Sequence, residues 1–283
     1  YNVGKLRNSG FEFDLNVKLI QKKDWYWDMS VNGYTYANKM LNLPDEYKVS
    51  GMPNGNQRIY EGKDIYRWEM RQFAGLDEKG NSLWYMDRDL TDGEGNVVGV
   101  EKVTTGDATE ATQYLLEKSA LPDFTGGLNT TLRWKSLDLT IMTNFQFGGY
   151  GYDYDFSAFS SANFPMNRLK NYADAWNPET GKGSAPIWNT NDSNINASSD
   201  RFLISKTYFN LRNITLGYTF PANWMSKIGI KSVRVYFACD NVFFASKRKG
   251  YDPRTSMGGQ GATVALNSVD GTYYSPIRTT SVG

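Results

Sequence analysis

The sequence predicts an all-β fold built on an antiparallel sheet, and three observations predict it. Aromatic residues are frequent, with 8 Trp, 19 Tyr and 15 Phe, and they occur beside 27 Gly, a mixture that favours strands and turns over helices. Apolar and polar residues alternate along several segments. Short turns alternate with long connectors, which is a pattern of antiparallel sheets whose two ends differ.

The first hairpin is the clearest pattern. Phe11 to Leu19 places apolar side chains at odd positions and polar side chains at even positions, as in a strand with two unlike faces. Gln21 to Asp24 forms a tight turn, and the alternation resumes from Trp25 to Asn32.

A second hairpin follows the same pattern. Leu128 to Trp134 and Leu137 to Phe147 each alternate apolar with polar side chains, and the Lys135-Ser136 pair between them predicts a turn.

A third pair of strands comprises Arg212 to Phe220 and Val233 to Asp240, joined by a connector from Ala222 to Lys231. Pro221 ends the first of these strands. A last strand is expected from Ser275 onward, which brings the total to about seven.

The connectors distinguish two architectures that share this alternation. Long excursions run from Asn38 to Asp123, from Gly148 to Asp200 and from Ser246 to Tyr274, whereas the connectors between them are short. Outer-membrane barrels have short periplasmic turns and long extracellular loops. We therefore predict an antiparallel transmembrane β-barrel portion with long extracellular loops. A soluble or cell-surface β-sandwich that binds carbohydrate is the alternative.

Aromatic residues near the strand ends fit two membrane girdles. One girdle is expected beside the short turns and the other at the opposite strand ends. The first set is Trp25, Trp27, Trp134, Tyr218, Phe220 and Trp224, and the second is Phe145, Phe147, Phe243 and Phe244.

Composition excludes several classes of function. The 31 Lys plus Arg nearly balance the 30 Asp plus Glu, so we expect no nucleic-acid partner. No stretch approaches the roughly 18 apolar residues of a membrane helix. Cys239 is the single cysteine and histidine is absent, which excludes an internal disulfide, a thiolate metal cluster and any histidine base. A barrel enzyme would depend on carboxylates such as Glu12 and Asp14, and we expect no enzyme and no cofactor.

Two sets of candidate functional residues follow. Even-numbered residues of the first strand, opposite its apolar face, are expected to line the barrel lumen: Glu12, Asp14, Asn16 and Lys18. Aromatic residues of the connectors are candidates for ligand or lid contact by composition alone: Trp68, Trp84, Tyr150, Tyr152 and Tyr154. Within the first connector, residues 64–77 and 82–86 predict a small hairpin that closes near residues 77–81.

One segment carries a family resemblance. The run from Asp200 through Tyr208-Phe209-Asn210-Leu211-Arg212-Asn213-Ile214-Thr215-Leu216-Gly217-Tyr218-Thr219-Phe220-Pro221 resembles a signature of the SusC/RagA family of TonB-linked outer-membrane transporters. Later landmarks resemble the same family: Asp240-Asn241, Lys249-Gly250-Tyr251-Asp252-Pro253 and Tyr274-Ser275-Pro276. The resemblance marks as structural motif residues Leu211, Arg212, Asn213, Gly217, Tyr218, Asn241, Gly250, Tyr251, Asp252 and Pro253.

The resemblance implies that residues 1–283 form the carboxyl-terminal part of a plugged 22-strand barrel. It also implies active import of an oligosaccharide or peptide across the bacterial outer membrane, with a SusD-like surface lipoprotein over the mouth and the TonB complex acting through a plug. The outer wall would contact the lipid bilayer. About seven strands leave two unpaired edges that hydrocarbon cannot satisfy, so we expect an intact polypeptide several times heavier than 32.1 kDa.

Overall fold

The computed structural model describes residues 4–160, 174–188, 193–247 and 277–283. The strands are β1 (Lys5–Gln21), β2 (Trp25–Asn42), β3 (Met52–Asn54), β4 (Gln57–Ile59), β5 (Arg67–Arg71), β6 (Phe73–Leu76), β7 (Ser82–Thr91), β8 (Val97–Thr105), β9 (Gln113–Ser119), β10 (Phe124–Trp134), β11 (Leu137–Phe147), β12 (Tyr150–Tyr152), β13 (Leu203–Ser205), β14 (Tyr208–Thr219), β15 (Arg234–Ser246) and β16 (Thr279–Val282). The helices are α1 (Tyr154–Phe159) and α2 (Ala222–Met225), with 3-10 turns at Asp45–Tyr47, Ser193–Asn196, Asp200–Phe202 and Ser226–Ile228.

The main sheet contains seven strands in the order β1-β2-β10-β11-β14-β15-β16. Every neighbouring pair in it is antiparallel, which confirms the predicted all-β antiparallel fold and its three strand pairs. Within the described ranges the sheet is open, with β1 and β16 at its two edges.

The first two strands are longer than predicted, with 17 residues in β1 and 18 in β2. β2 runs on to Asn42, whereas the sequence places the start of the long connector at Asn38. The extension persists because Met40 is buried against Leu43 and Ile59 of the connector. A strand needs only about 9–11 residues to cross a bilayer, so both strands are longer than a crossing requires.

Strand register separates the side chains into one apolar and one polar face. Leu15 pairs with Val31, and Val31 pairs with Leu128, so apolar side chains continue from strand to strand. This face is exposed, with Phe11 at 67% and Leu15 at 52% of their full accessible area. Among the described residues no second layer covers it, which argues against the β-sandwich alternative, where such a face would form the core.

The connectors at the two ends of the sheet differ as the sequence predicts. At one end Lys22–Asp24 and Lys135-Ser136 make short turns, and α2 lies in the third connector. At the other end the long connectors carry three small sheets, with strand orders β3-β4-β5-β9, β6-β7-β8 and β12-β13. Among the described residues, every helix is too short or too polar to cross a membrane.

The small hairpin predicted in the first connector is present between β6 and β7. The Asp77 carboxylate closes its turn by accepting from the backbone N–H groups of Lys79 and Asn81, at 2.8 and 2.7 Å. The segment just before it behaves differently, because β5 pairs with the distant strand β9. β5 therefore lies between the nearby strand β4 and the distant strand β9.

Candidate functional site in the polar face and folded connectors

The polar face of β1 carries the four predicted lumen residues. Glu12, Asp14, Asn16 and Lys18 are all exposed, on the face opposite the apolar side chains. The Asn16 side chain donates a hydrogen bond to the Asp14 carboxylate. The geometry groups these side chains as one polar strip. Their placement in a barrel lumen stays a prediction.

Aromatic side chains gather at the short-turn end of the sheet. Trp25 lies opposite Trp134 in the register, and their ring centroids are 5.7 Å apart. The rings of Tyr218 and Phe220 meet edge to face at 5.1 Å. This cluster agrees with the first predicted girdle.

A second aromatic row crosses the sheet near the long connectors. The Phe124 ring lies 6.4 Å from that of Phe13 and 6.0 Å from that of Phe145. Gly33 allows this row, because a Cβ added there would lie 2.4 Å from the Phe124 ring. A glycine covered by a neighbouring aromatic ring is a recognised device for stabilising sheets.

The placement predicted for Phe244 in this second girdle is wrong. Phe243 pairs with Leu211 on the apolar face, whereas Phe244 pairs with Asn210 and stacks on the Tyr208 ring at 5.7 Å. The reason is the strand period of two, which sends adjacent side chains to opposite faces.

The family-motif residues build a β-bulge between β14 and β15. Leu211 pairs with Phe243 and Asn213 pairs with Asp240, so two residues of β15 lie opposite Arg212 alone. Asn241 occupies the left-handed region with φ of 51°, a conformation that Asn tolerates better than most residues. Its side chain donates a hydrogen bond to the Ile277 carbonyl at 3.0 Å, which ties the start of β16 to the bulge.

Gly217 leaves room for an ion pair that passes over its strand. The Arg234 guanidinium reaches Asp138 at 2.6 Å, and a Cβ at Gly217 would lie 2.2 Å from that guanidinium. Tyr218, the next motif residue, pairs with Leu137 on the apolar face. The motif residues Gly250, Tyr251, Asp252 and Pro253 lie outside the described residues.

The two longer connectors fold together around a shared core. The first connector contributes Trp68 and Met70 of β5, Leu116 of β9 and Ala120 just after β9, and the second contributes Tyr152, Phe202 and Leu203. The Trp68 indole N–H donates to the Tyr150 carbonyl at 3.1 Å, across 82 residues of sequence. The connectors are therefore a packed body.

The five aromatic ligand candidates divide by exposure. Trp68 and Trp84 are each 1% exposed and Tyr152 is 3% exposed, so these rings pack inside the connectors. Tyr150 is half-buried beside the shared core. Tyr154 is 45% exposed and its ring lies 4.8 Å from that of Tyr152. Ligand contact by these residues stays a prediction, and Tyr154 offers the largest accessible ring.

A polar triad lies inside the first connector. The Tyr60 hydroxyl donates to Glu69 at 2.7 Å, and Arg58 reaches the other oxygen of the same carboxylate at 2.7 Å. Burial and the hydrogen bond to Glu69 raise the pKa of Tyr60 to about 12. The triad connects residues 58–60 to β5. Within the described ranges, no group of His, Cys, Asp or Glu side chains is arranged to hold a metal.

A groove of about 870 Å³ opens where β2 extends past β10. The last residue pair between these strands is Tyr34 with Thr125, and β2 next acquires a neighbour at Met40, which exchanges backbone hydrogen bonds with Lys63 and Gly62. Asn38 and Tyr36 line the groove from β2, and Asp64, Arg67, Glu117 and Asp123 line it from the connector. The sequence gives no local sign of this site, because it depends on the unequal lengths of two strands.

Comparison with known proteins shows which proteins this chain resembles. No family model matches the chain. It is 27% identical over 264 residues to the TonB-dependent receptor SusC of Bacteroides thetaiotaomicron, covering 91% of this chain and 25% of the relative. It is 25% identical over 303 residues to the TonB-dependent receptor P3 of Formosa agariphila, covering 100% of this chain and 29% of the relative. Among solved structures, the RagAB peptide transporter matches with a TM-score of 0.71 and 26% identity over 89% of this chain and 27% of that chain.

The chain is SusC/RagA-like. A second solved structure, the RagAB peptide importer in its closed-closed state, gives the same TM-score of 0.71 over 90% of this chain and 28% of that chain. The SusC/RagA-like chain spans 25% to 29% of the length of these curated relatives. Its agreement with them in both sequence and fold confirms the resemblance drawn from the motif residues.

Proposed function

We propose that this chain is the carboxyl-terminal part of the barrel of a TonB-dependent transporter that imports a nutrient across the bacterial outer membrane. The observation that supports this proposal most strongly is the seven-stranded sheet, which has one exposed apolar face, one polar face and folded connectors at one end. The likeness to the RagAB peptide transporter and to SusC supports it.

In this proposal the two faces of the sheet have different partners. The apolar face contacts the lipid bilayer, and the polar strip of Glu12, Asp14, Asn16 and Lys18 lines the lumen. The packed connectors form part of the extracellular mouth, where Tyr150 and Tyr154 are the aromatic residues best placed for a ligand or lid. The chain performs no covalent chemistry and needs no cofactor.

Two further partners belong to the proposal. A SusD-like surface lipoprotein would cover the mouth, and the TonB complex would act through a plug supplied by the rest of the polypeptide. The nutrient would be an oligosaccharide or a peptide.

Membrane fractionation and uptake test this proposal together. The full-length polypeptide should sediment with outer membranes, require detergent for extraction and co-purify with a surface lipoprotein that mass spectrometry identifies. Uptake of the nutrient retained in that complex should stop when the TonB gene is deleted. Release of the protein by salt alone, or uptake that continues without TonB, would contradict it.

A further inference from the structure

The groove beside β2 exposes the edge of a strand inside the sheet. No strand of the described chain pairs with β2 from Thr35 to Lys39 on the β10 side. Peptide groups in a strand point alternately to its two sides. Met40 directs its N–H and C=O toward this side, where it bonds Lys63 and Gly62 at 2.9 and 2.8 Å. Tyr36 and Asn38 therefore direct theirs toward the same side, into the groove.

An unpartnered donor lies at the same place. Asn38 is 7% exposed and lines the groove. Its side-chain oxygen accepts from the Ile65 N–H at 3.0 Å, whereas its amide nitrogen has no hydrogen-bond partner. Buried polar groups are almost always paired, so this donor together with the strand edge indicates a ligand that carries acceptors.

We propose that the groove binds an extended peptide, which adds as a short strand to β2. Backbone amides of the peptide would pair with Tyr36 and Asn38, as in recognition by strand addition. From Tyr34 to Met40 the strand rises about 20 Å at roughly 3.3 Å per residue, which accommodates about five residues. A sugar lacks the regular alternation of N–H and C=O groups that this edge would pair.

Charge sets the direction of the peptide. Arg67 is paired with Asp64 at 3.2 Å and with Glu117 at 2.7 Å. Asp123, at the β10 end of the groove, and Lys39 and Lys63, at the other end, have no ion pair in the described structure. A free amino end therefore fits at Asp123 and a free carboxylate fits at the two lysines, so the peptide runs parallel to β2.

This inference narrows the nutrient of the proposed function from an oligosaccharide or peptide to a peptide. It rests on the proposed function, because the bound peptide is a nutrient only if the protein is a transporter. Binding is measured on the full-length protein in detergent with the pentapeptide Ser-Thr-Val-Thr-Ser, and maltopentaose serves as the carbohydrate probe. We expect the peptide to bind, its form with methylated internal amides to bind at least tenfold more weakly, and maltopentaose to bind no better than that form.

Variants locate the site. Asn38→Asp keeps the oxygen that accepts from Ile65 and removes the donor, and it should weaken peptide binding at least tenfold. Asn32→Asp, on the same face of β2 outside the groove, should change it less than twofold. Asp123→Asn should weaken the peptide with a free amino end more than its acetylated form.

Three outcomes would overturn the peptide site: no peptide binding, equal binding of the methylated peptide, or equal binding of maltopentaose. TonB-dependent uptake is measured separately in cells. A transporter that imports its nutrient but fails these binding tests loses the peptide site and keeps the proposed function.

Discussion

Adjacent residues of β1 lie in different surroundings, and substituting each of them by a charged residue tests the difference. Leu15 lies on the exposed apolar face and pairs with Val31, whereas Asp14 lies on the polar face and pairs with Asn32. Both side chains are exposed, so neither is held by a core. Only the medium that each face contacts separates the effects of substitution at the two positions.

Leu15→Arg should destabilise the full-length protein by about 2–4 kcal/mol, the cost of a cation near the middle of a bilayer on the lipid face of a barrel. Asp14→Arg, one residue away, should cost less than about 1 kcal/mol because its side chain remains in water. Guanidinium unfolding in lipid vesicles measures both values. Equal effects at the two positions would contradict a lipid-facing apolar surface.

Tyr60 gives the first connector a dependence on alkaline pH. Its folded pKa, raised to about 12, exceeds the value of about 10 expected in the unfolded chain. Because the folded state holds the proton more tightly, this contribution is fully present below pH 10 and is lost as pH rises toward 12.

Tyr60→Phe should remove that dependence and cost about 1.5–3 kcal/mol at neutral pH, since the lost hydrogen bond ends on the charged Glu69. Hydrogen exchange of residues 57–71 across the alkaline range provides the measurement. If the variant and the parent lose protection in parallel between pH 10 and 12, another group controls the transition.

At the scale of elements, the bulge between β14 and β15 links two strands to a third. Arg212 has no register partner in either neighbouring strand, β11 or β15. Asn241 holds the left-handed conformation opposite it and reaches the Ile277 carbonyl. The bulge therefore fixes both the pairing of β15 and the point where β16 joins the sheet.

Asn241→Val should destabilise β15 and β16 by about 1–3 kcal/mol, because a β-branched residue is strained at a positive φ. Asn241→Gly accepts the same φ and loses only the hydrogen bond, so it should cost about 0.5–1.5 kcal/mol. Native-state hydrogen exchange of the two strands ranks the variants. A glycine variant as unstable as the valine variant would show that backbone strain is not the cause.

The hairpins of the main sheet could be predicted because their signal is local. Phe11 to Leu19 alternates strictly, and the observed pairing follows that alternation. The end of β2 could not be predicted, because Met40 is buried by Leu43 and Ile59 of a connector with no simple period. The burial of Trp68 depends on residues of the second connector, 82 or more positions away. Composition alone offers that ring as a ligand candidate and carries no information about its burial.

Considered as a whole molecule, the described chain has two parts with different sources of stability. The main sheet is held by backbone pairing, with its apolar face exposed. The connectors are held by the buried core that Trp68, Met70, Leu116 and Ala120 share with Tyr152, Phe202 and Leu203. Phe202, at 0% exposure, meets the Tyr152 and Phe156 rings edge to face at 5.8 and 5.4 Å. It belongs to the same buried cluster as Trp68 and Leu116 of the first connector.

Phe202→Ala should destabilise the connector body by about 3–5 kcal/mol, the usual cost of removing a buried aromatic ring. Because the core is shared, hydrogen exchange should rise in β5 and β9 as well as in β12, while β10 and β11 keep their protection. Phe209→Ala, on the apolar face of β14 at 42% exposure, is the matched control and should leave the connectors protected. Exchange that rises in β12 alone would mean that the two connectors fold independently, and the mouth of the proposed transporter would then be two separate loops.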